Sequence, residues 1–488
     1  MSDTPTYENI EDERSIRLQK LDLLAKDGIE AYQVSSNRMH TVDKALACEL
    51  EAEVIVAGRL INKRIIGKII FAKLQDESGD IQIIVKQDET GKESFKLFSK
   101  MADVGDFIEV NGKRFLTQRD EESVMAANWR LLSKALRPLP DKFHGLKDKE
   151  LRFRKRYLEL ITDREVFERF KIRSKIIAAI RDFLNKENFL EVETPILQTL
   201  YGGTNARPFT THINAYDMDM YLRVAPELYL KRLIVGGYER IYEIARNFRN
   251  EGADQTHNPE FTMIEWYESY KDYQAIMDRA EKLFKHIASV LFGAAKIPFE
   301  REELDLNYDW PRVPMTEAIR EHLGLDVIKM SDQELKVICE KNSLEIRGEA
   351  THGQLVMEIF EKLVTEKLIK PIWIIDYPKE ISPLSRNHRT NPDLVERFEC
   401  YINGQEIADG WSEIIDPRIQ RERFEGEQLA MRAGNEESHP MDEEFLEAME
   451  YGLPPLGGIG IGIDRLIMLY TNQSSIREVI FFPIMRPE

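Results

Sequence analysis

Long apolar runs are missing from this chain. Nowhere among its 488 residues do about 18 apolar residues follow one another, so no segment is expected to span a membrane. Cysteine is scarce as well. The three that occur, Cys48, Cys339 and Cys400, lie far apart and make no CxxC pair, which excludes a disulfide framework or a zinc site and fits buried thiols in a reducing compartment. The opening stretch MSDTPTYENIEDER is acidic and lacks an apolar leader, so secretion is not expected. Internal repeats and low-complexity segments are not evident. Excess positive charge is lacking too. The formal net charge of −18 argues mildly against a nucleic-acid partner, although a large enzyme needs only a local basic surface to hold RNA. With 42% apolar and 32% charged residues the balance is that of a folded globular chain, and the length calls for two or more domains. These absences and proportions point to a soluble, cytoplasmic, multidomain protein.

What is present divides along the chain. Leu18, Leu21 and Leu24 recur at helical spacing within residues 14–27, with Gly28 placed as a C-cap, so residues 1–52 read as a helical leader. From about residue 53 the period changes. VIVAGRL (54–60), IIFAKL (69–74), IQIIV (81–85), DFIEVNGKRF (106–115) and SVMAANWRLL (123–132) read as five short strands, with a helix, ESFKLFSKM (93–101), after the third. That order over 53–136 is the pattern of an OB-fold, a small barrel that often binds single-stranded nucleic acid; pattern alone leaves other small barrels open. Arg137, Pro138, Pro140 and Gly145 open a segment, 137–164, that reads as a hinge. Within it, Arg152, Arg154, Lys155 and Arg156 form a basic run, either a solvated helix face or an RNA contact. From 165 to 488 helices and strands mix without the regular alternation of a doubly wound sheet, so the fold class is α+β.

Three stretches of that second region carry chemistry. In 172–195, Ile172, Ile176, Ile177, Ile180, Phe183 and Leu184 form one helical stripe, and the strand FLEVET follows and stops at Pro195. In 240–267, two strand-like runs flank a polar loop holding Asn250, Glu251, Gly252, Asp254 and His257. Arg249 stands at the loop mouth with Phe261 opposite: a guanidinium fork suits phosphate oxygens and a ring suits a flat base, while the plainer reading is a hairpin with a salt bridge. In 457–469, GGIGIGIDRLIML, the glycines let a strand and a helix approach closely while Arg465 reaches a ligand; no βαβ unit surrounds them, which argues against a dinucleotide fingerprint. Between these lies RFECYINGQEIADGWSE (397–413), where Glu399, Glu406 and Glu413 recur with Asp409 and Trp411 among them. If it folds as two antiparallel strands, some of these carboxylates face one cleft and suit a divalent cation or an ammonium group, although each glutamate singly is more often a solvated surface group.

Together these stretches resemble motifs 1, 2 and 3 of the class II aminoacyl-tRNA synthetases. GGTNARPF (202–209), MYLRVAPELYLKRL (220–233), RNFRNEG (246–252), HNPEFTMIEWY (257–267) and PLGGIGIGIDRL (455–466) resemble the lysyl type within the aspartyl, asparaginyl and lysyl subgroup. GKIIFAKLQD (67–76) and RPLPDKFHGLKDKELRFRKRYLEL (137–160) match as well, so the resemblance runs from about residue 14 to the C-terminus. It implies an antiparallel catalytic sheet flanked by helices, a homodimer paired through motif 1, and ATP, Mg²⁺, L-lysine and tRNA(Lys) as what the chain handles. It implies catalytic roles for Arg249, Glu251 and Arg465, with ATP also touching His257, Asn258, Phe261 and Glu406. Glu399 and Glu406 would hold Mg²⁺. Gly203 and Glu227 would take the α-ammonium of lysine, Tyr267 and Glu413 the ε-ammonium, with Glu265 adding negative charge and Trp411 lining the stem. Arg64, Phe71, Gln82 and Glu121 match positions that read a uridine-rich anticodon.

Two positions depart from that pattern. Relatives usually carry Asn at Asp409 and Phe or Tyr at Trp411. An ionised Asp409 near a substrate carboxylate needs Mg²⁺ or a neighbouring cation, or a raised pKa, to be tolerated. Rival readings are an aspartyl or asparaginyl enzyme, which Glu265 and Glu413 would disfavour by repelling an acidic substrate; a relative that modifies a protein, which would resemble the catalytic domain alone; and a non-catalytic RNA-binding protein, against which stand Arg249, Glu399, Glu406 and Arg465.

Overall fold

The computed structural model describes residues 7–140, 146, 148–299, 302–344, 346, 350–432 and 440–487. The chain divides into two compact units, residues 1–152 with 157–162 and residues 153–156 with 163–488.

In the first unit, helix α1 (Tyr7–Lys26) precedes β1 (Glu53–Ile66), β2 (Ile69–Gln75), β3 (Asp80–Lys86), β4 (Phe107–Leu116) and β5 (Glu122–Ser133). The strands close into a barrel in the order β1-β2-β3-β5-β4, which removes unpaired edges. Helix α2 (Lys92–Met101) lies between β3 and β4 in the chain, as the sequence pattern expects. Alternation turns Ile70, Ala72 and Leu74 of β2 and Ile81, Ile83 and Val85 of β3 inward, where all are buried. Phe98 of α2 joins that core, its ring edge-on to Trp129 at 4.8 Å. Phe71 is on the other face of β2, half-buried, with Arg64 and Ile84 as its cross-strand partners. Gln82 lies on the same outer wall between Lys73 and Ser123, and donates to Ser123 Oγ at 2.8 Å. Glu121 is exposed just ahead of β5.

Of the segment read as a hinge, residues 141–145 and 147, Gly145 among them, lie outside the described residues. The basic run is not a uniformly solvated helix face. Arg152 pairs with the buried Glu159, and Arg156 is itself fully buried, donating to the carbonyls of Arg477, Ile480 and Phe481. Of the four, Lys155 alone is exposed.

The second unit is built on an eight-stranded sheet. Its elements in chain order are α3 (Arg164–Lys186), β6 (Leu190–Glu191), α4 (Glu227–Val235), β7 (Arg240–Phe248), β8 (Glu260–Ser269), α5 (Tyr273–Phe292), β9 (Arg312–Pro314), α6 (His352–Leu363), β10 (Ile372–Pro378), β11 (Leu394–Ile402), β12 (Gln405–Ser412), β13 (Leu456–Gly462) and α7 (Ile463–Tyr470). The strand order is β9-β10-β11-β12-β13-β8-β7-β6. The inner six strands are antiparallel, but both edge pairs, β7–β6 and β9–β10, are parallel. The sheet is therefore mixed, not wholly antiparallel. Each edge strand is linked to its neighbour by a long crossover, residues 192–239 and 315–371, which returns the chain to the same end of the sheet.

Helix α3 starts at Asp163, whose carboxylate accepts from the amides of Glu165 and Val166. Its stripe buries Ile176, Ile180 and Leu184 in one core with Trp266, Met277 and Leu283. The strand after it is shorter than FLEVET suggests, because Thr194 gives both its amide and its hydroxyl to Glu243 Oε2 (3.1 and 2.7 Å), so that amide is not available to a ladder. Core and wall of the barrel are separable by experiment. Phe98→Ala is expected to lose about 3–5 kcal/mol in urea unfolding, whereas Phe71→Ala, truncating a ring outside the core, loses under about 1.5 kcal/mol.

Candidate active site

The hairpin β7–β8 supplies the first wall of the site. Its register pairs Asn247 with Phe261, and the Arg249 amide donates to the Pro259 carbonyl at 2.9 Å, so Arg249 and Phe261 face each other at the open end. The guanidinium carbon lies 5.1 Å from the Phe261 ring centroid. Arg249 Nε is buried and has no hydrogen-bond partner. Burial lowers this guanidinium from its ordinary pKa, while Glu251, Glu406 and Glu265 favour its charged form. In the loop beyond, His257 meets the Asp254 carboxylate through Nδ1 (2.9 Å) and Arg465 Nη2 through Nε2 (3.0 Å). Glu251 is exposed at the rim, and Asn258 is buried with its amide on the Glu260 carbonyl.

Strands β11 and β12 form the opposite wall. They pair Arg397 with Trp411 and Glu399 with Asp409, then shift register so that Tyr401 meets Glu406 while Cys400 meets Ala408. One extra residue, Ile407, is accommodated there. Strict alternation would turn Glu406 away from Asp409, Trp411 and Glu413; the bulge brings it back to their side. All four line the same cavity.

Strand β13 makes the floor, and its glycines are required by space. A Cβ on Gly458 would lie 2.4 Å from the Tyr267 ring and 2.7 Å from Glu413 Oε1, and one on Gly460 would lie 2.7 Å from the Met263 methyl. Gly203, at φ +96, occupies backbone space that favours glycine, and its side faces Glu227. Arg465, one turn into α7, donates to the Glu406 carbonyl (2.9 Å) and to Glu406 Oε2 (3.2 Å).

The result is one cavity of about 650 Å³. Its lining includes every residue that the resemblance assigns to ATP, lysine or metal: Gly203, Glu227, Arg249, Glu251, His257, Asn258, Phe261, Glu265, Tyr267, Glu399, Glu406, Asp409, Trp411, Glu413 and Arg465. Of the four barrel residues, Arg64, Phe71 and Gln82 lie on neighbouring strands of the first unit, and Glu121 is exposed just ahead of β5. Among the described residues no group of three or more His, Cys, Asp or Glu side chains could hold a metal alone. Glu399 and Glu406, two carboxylates in one cavity, suit a Mg²⁺ ion that arrives with phosphates, which needs only one or two protein ligands.

Two cations, Arg397 (half-buried) and Lys231 (buried), escaped the sequence reading. Arg397 holds both oxygens of Asp409 at 3.0 Å and Glu399 Oε1 at 2.7 Å, so the neighbouring cation that Asp409 needs is Arg397. Lys231 lies 2.5 Å from both Glu227 Oε1 and Glu413 Oε2. Both carried a signal: 397 and 399 share a strand face, and 227 and 231 are one helical turn apart. Tyr401, which donates to Glu399 Oε2 at 2.6 Å, shows the same spacing. Burial is the largest influence on the acids. It pushes Asp409 up to about 6, Glu399 to about 7, and Glu265 and Glu413 to about 8.

An arginine and a ring at the open end, two carboxylates suited to a phosphate-bound cation, and an acidic inner recess make a site for a nucleotide beside a cationic small molecule. Residues 148–486 match the family model described as tRNA synthetases class II (D, K and N), and residues 54–132 match that of the OB-fold nucleic acid binding domain. The lysine–tRNA ligase of Pelotomaculum thermopropionicum is 48% identical, the match covering 98% of this chain and 96% of that protein. This chain belongs to the lysine–tRNA ligases. Those of Carboxydothermus hydrogenoformans (48% identical, 97% of each chain) and Staphylococcus haemolyticus (47% identical, 98% and 99%) agree along their length. No described helix is long and apolar enough to cross a membrane.

Internal cations pair with the acids of this site. Arg397→Leu would strand the buried Glu399 and the half-buried Asp409 without their cation and is expected to destabilise the second unit by about 3 kcal/mol, read from urea unfolding.

Proposed function

We propose that this chain activates L-lysine with ATP and transfers it to tRNA(Lys). The observation that carries this reading is the acidic recess: Glu227, Glu265 and Glu413 are all buried, and Glu413 Oε1 has no hydrogen-bond partner. A buried acceptor of that kind calls for a donor from the ligand, and a substrate without an ammonium group would leave it unpaired. Tyr267 and Glu413 receive the ε-ammonium, Gly203 and Glu227 the α-ammonium, and Trp411 covers the stem. The nucleotide lies across Arg249, Phe261 and Arg465, with its outer phosphates toward His257. Mg²⁺ held by Glu399 and Glu406 would supply charge stabilisation at those phosphates.

The chemistry then requires little of the protein beyond placement. The lysine carboxylate is already a nucleophile, so no general base acts in the first step. Its oxygen bonds to the α-phosphorus as the bond to pyrophosphate breaks, and Arg249, having an unpaired Nε–H, meets the charge that develops there. In the second step a hydroxyl of the terminal adenosine of the tRNA attacks the acyl carbon, and AMP leaves. The outer wall of the barrel, with Arg64, Phe71, Gln82 and Glu121, reads the anticodon. We further propose a cytoplasmic homodimer paired around the motif 1 helix and strand, where Leu190, Ile196 and Leu197 are exposed apolar side chains.

Three measurements test the reading. Arg249→Ala and Arg465→Ala are each expected to abolish lysine-dependent ATP–pyrophosphate exchange; a rate within about tenfold of the parent, near 1.4 kcal/mol, removes Arg249 from catalysis. Phe71→Ala should lower tRNA charging by about 1–3 kcal/mol of lost stacking while exchange is retained; equal loss of both argues for a structural ring. Finally, Glu265 and Glu413 titrate near 8, so both are largely protonated at pH 6 and increasingly ionised toward pH 8. A cationic substrate needs the ionised forms. The KM for lysine should therefore fall as pH rises from 6 to 8, and a flat profile contradicts this.

A further inference from the structure

Glu227 and Lys231 stand one turn apart on α4, a spacing that on a helix surface is worth only tenths of a kilocalorie. Here neither is at a surface: they are 2% and 1% exposed. Lys231 Nζ reaches Glu227 Oε1 and Glu413 Oε2, both at 2.5 Å, and so joins helix α4 to the residue that follows β12. Trp411 Nε1 donates to the same Glu413 Oε2 at 2.8 Å. Each carboxylate thus has one oxygen held by the protein. The other oxygens border the glycine-lined space. Glu227 Oε2 lies 3.7 Å from where a Cβ on Gly203 would be, and Glu413 Oε1 lies 2.7 Å from the corresponding point at Gly458.

We propose that Lys231 is a specificity-determining positioning residue, which bridges Glu227 and Glu413 from behind the cavity so that each turns one oxygen to an ammonium group of the substrate. The proposal rests on the lysine reading above. It follows from charge as well as geometry. Glu227, Glu265 and Glu413 with Lys231 leave two negative charges when ionised, which matches the two ammonium groups of lysine. The surrounding charges are otherwise engaged: Glu243 with Arg223 at 2.5 Å, and Asp409 with Arg397. Arg249 faces Glu265 and Glu251 at the nucleotide end, and Tyr267 donates to Glu265 at 3.0 Å. Lys231 is therefore the cation paired with both Glu227 and Glu413. Its Nζ is within reach of two carboxylates, so deleting it removes support from both ends of the substrate site together.

The test is lysine-dependent ATP–pyrophosphate exchange between pH 6 and 9, with lysine and ATP varied separately, for the parent, Lys231→Met, Lys231→Arg and Trp411→Phe. In Lys231→Met the lysine KM should rise at least about a hundredfold, as expected when one partner of a buried pair is lost. The ATP KM should stay within about twofold, and the acid limb of kcat/KM for lysine should move to higher pH by about one unit, because the carboxylates lose the cation that favours their ionised form. Lys231→Arg should restore the position of the acid limb. Trp411→Phe, which removes the indole donor to Glu413 and trims the ring over the lysine stem, should move it in the same direction by less. An acid limb unmoved in both Lys231→Met and Trp411→Phe overturns the proposal, as does a rise of both KM values together. If Lys231→Met does not fold, Lys231→Gln, which removes the charge and keeps a donor, decides by the same readouts. A parent that fails to exchange with lysine overturns instead the reading on which the proposal stands.

Discussion

Carboxylates crowded into one cavity, four of them buried (Glu227, Glu265, Glu399 and Glu413) and two half-buried (Glu406 and Asp409), are the constraint around which the catalytic unit is arranged. All six line one cavity, and a lone ionised acid at a buried position there would carry a desolvation penalty of several kcal/mol. Three cations answer most of that penalty: Arg397 for Asp409 and Glu399, Arg465 for Glu406, and Lys231 for Glu227 and Glu413. Two acidic groups remain without a direct protein cation, Glu265 and the Oε1 side of Glu413. Burial drives both acids up to about 8, and a cation beside them would favour their ionised forms. A buried carboxylate of this kind suits an ammonium donor better than a neutral group.

Shape follows from two local irregularities. The register shift that accommodates Ile407 places Glu406 beside Asp409, and without it the Glu406 carboxylate would point out of the cavity. The glycines of β13 leave room for Tyr267 and Glu413 to approach from above; an alanine at Gly458 would occupy that room. Neither feature supplies a polar group. Both decide where polar groups can stand.

In the barrel, period-two alternation separates the side chains that hold the fold from those that face outward. Ile70, Ala72 and Leu74 point inward and hold the fold, while Phe71, between Ile70 and Ala72, points out beside Arg64 and Gln82. A side chain on that wall can be changed for a different ligand without opening a cavity in the core.

The sequence alone determined the elements whose signal is local. Five strands and a helix in barrel order follow from period and turn residues, and the α3 stripe from helical spacing. The loop between Arg249 and Phe261, and the glycines before Arg465, are likewise contiguous, so their chemistry is readable in a single window. Resemblance extended this to scattered residues that the fold then gathered into one cavity. Tertiary structure decided what depends on distant partners. Arg156, one charge in a basic run, is buried on carbonyls more than 300 residues away in sequence. Glu413 meets Lys231 across two elements, and Asp409 finds Arg397 across a strand pair. The mixed direction of the sheet edges and the bulge at Ile407 depend on register. A charge or a register has no local signature, because its energy is set by what packs against it, and that is fixed only when the chain has folded.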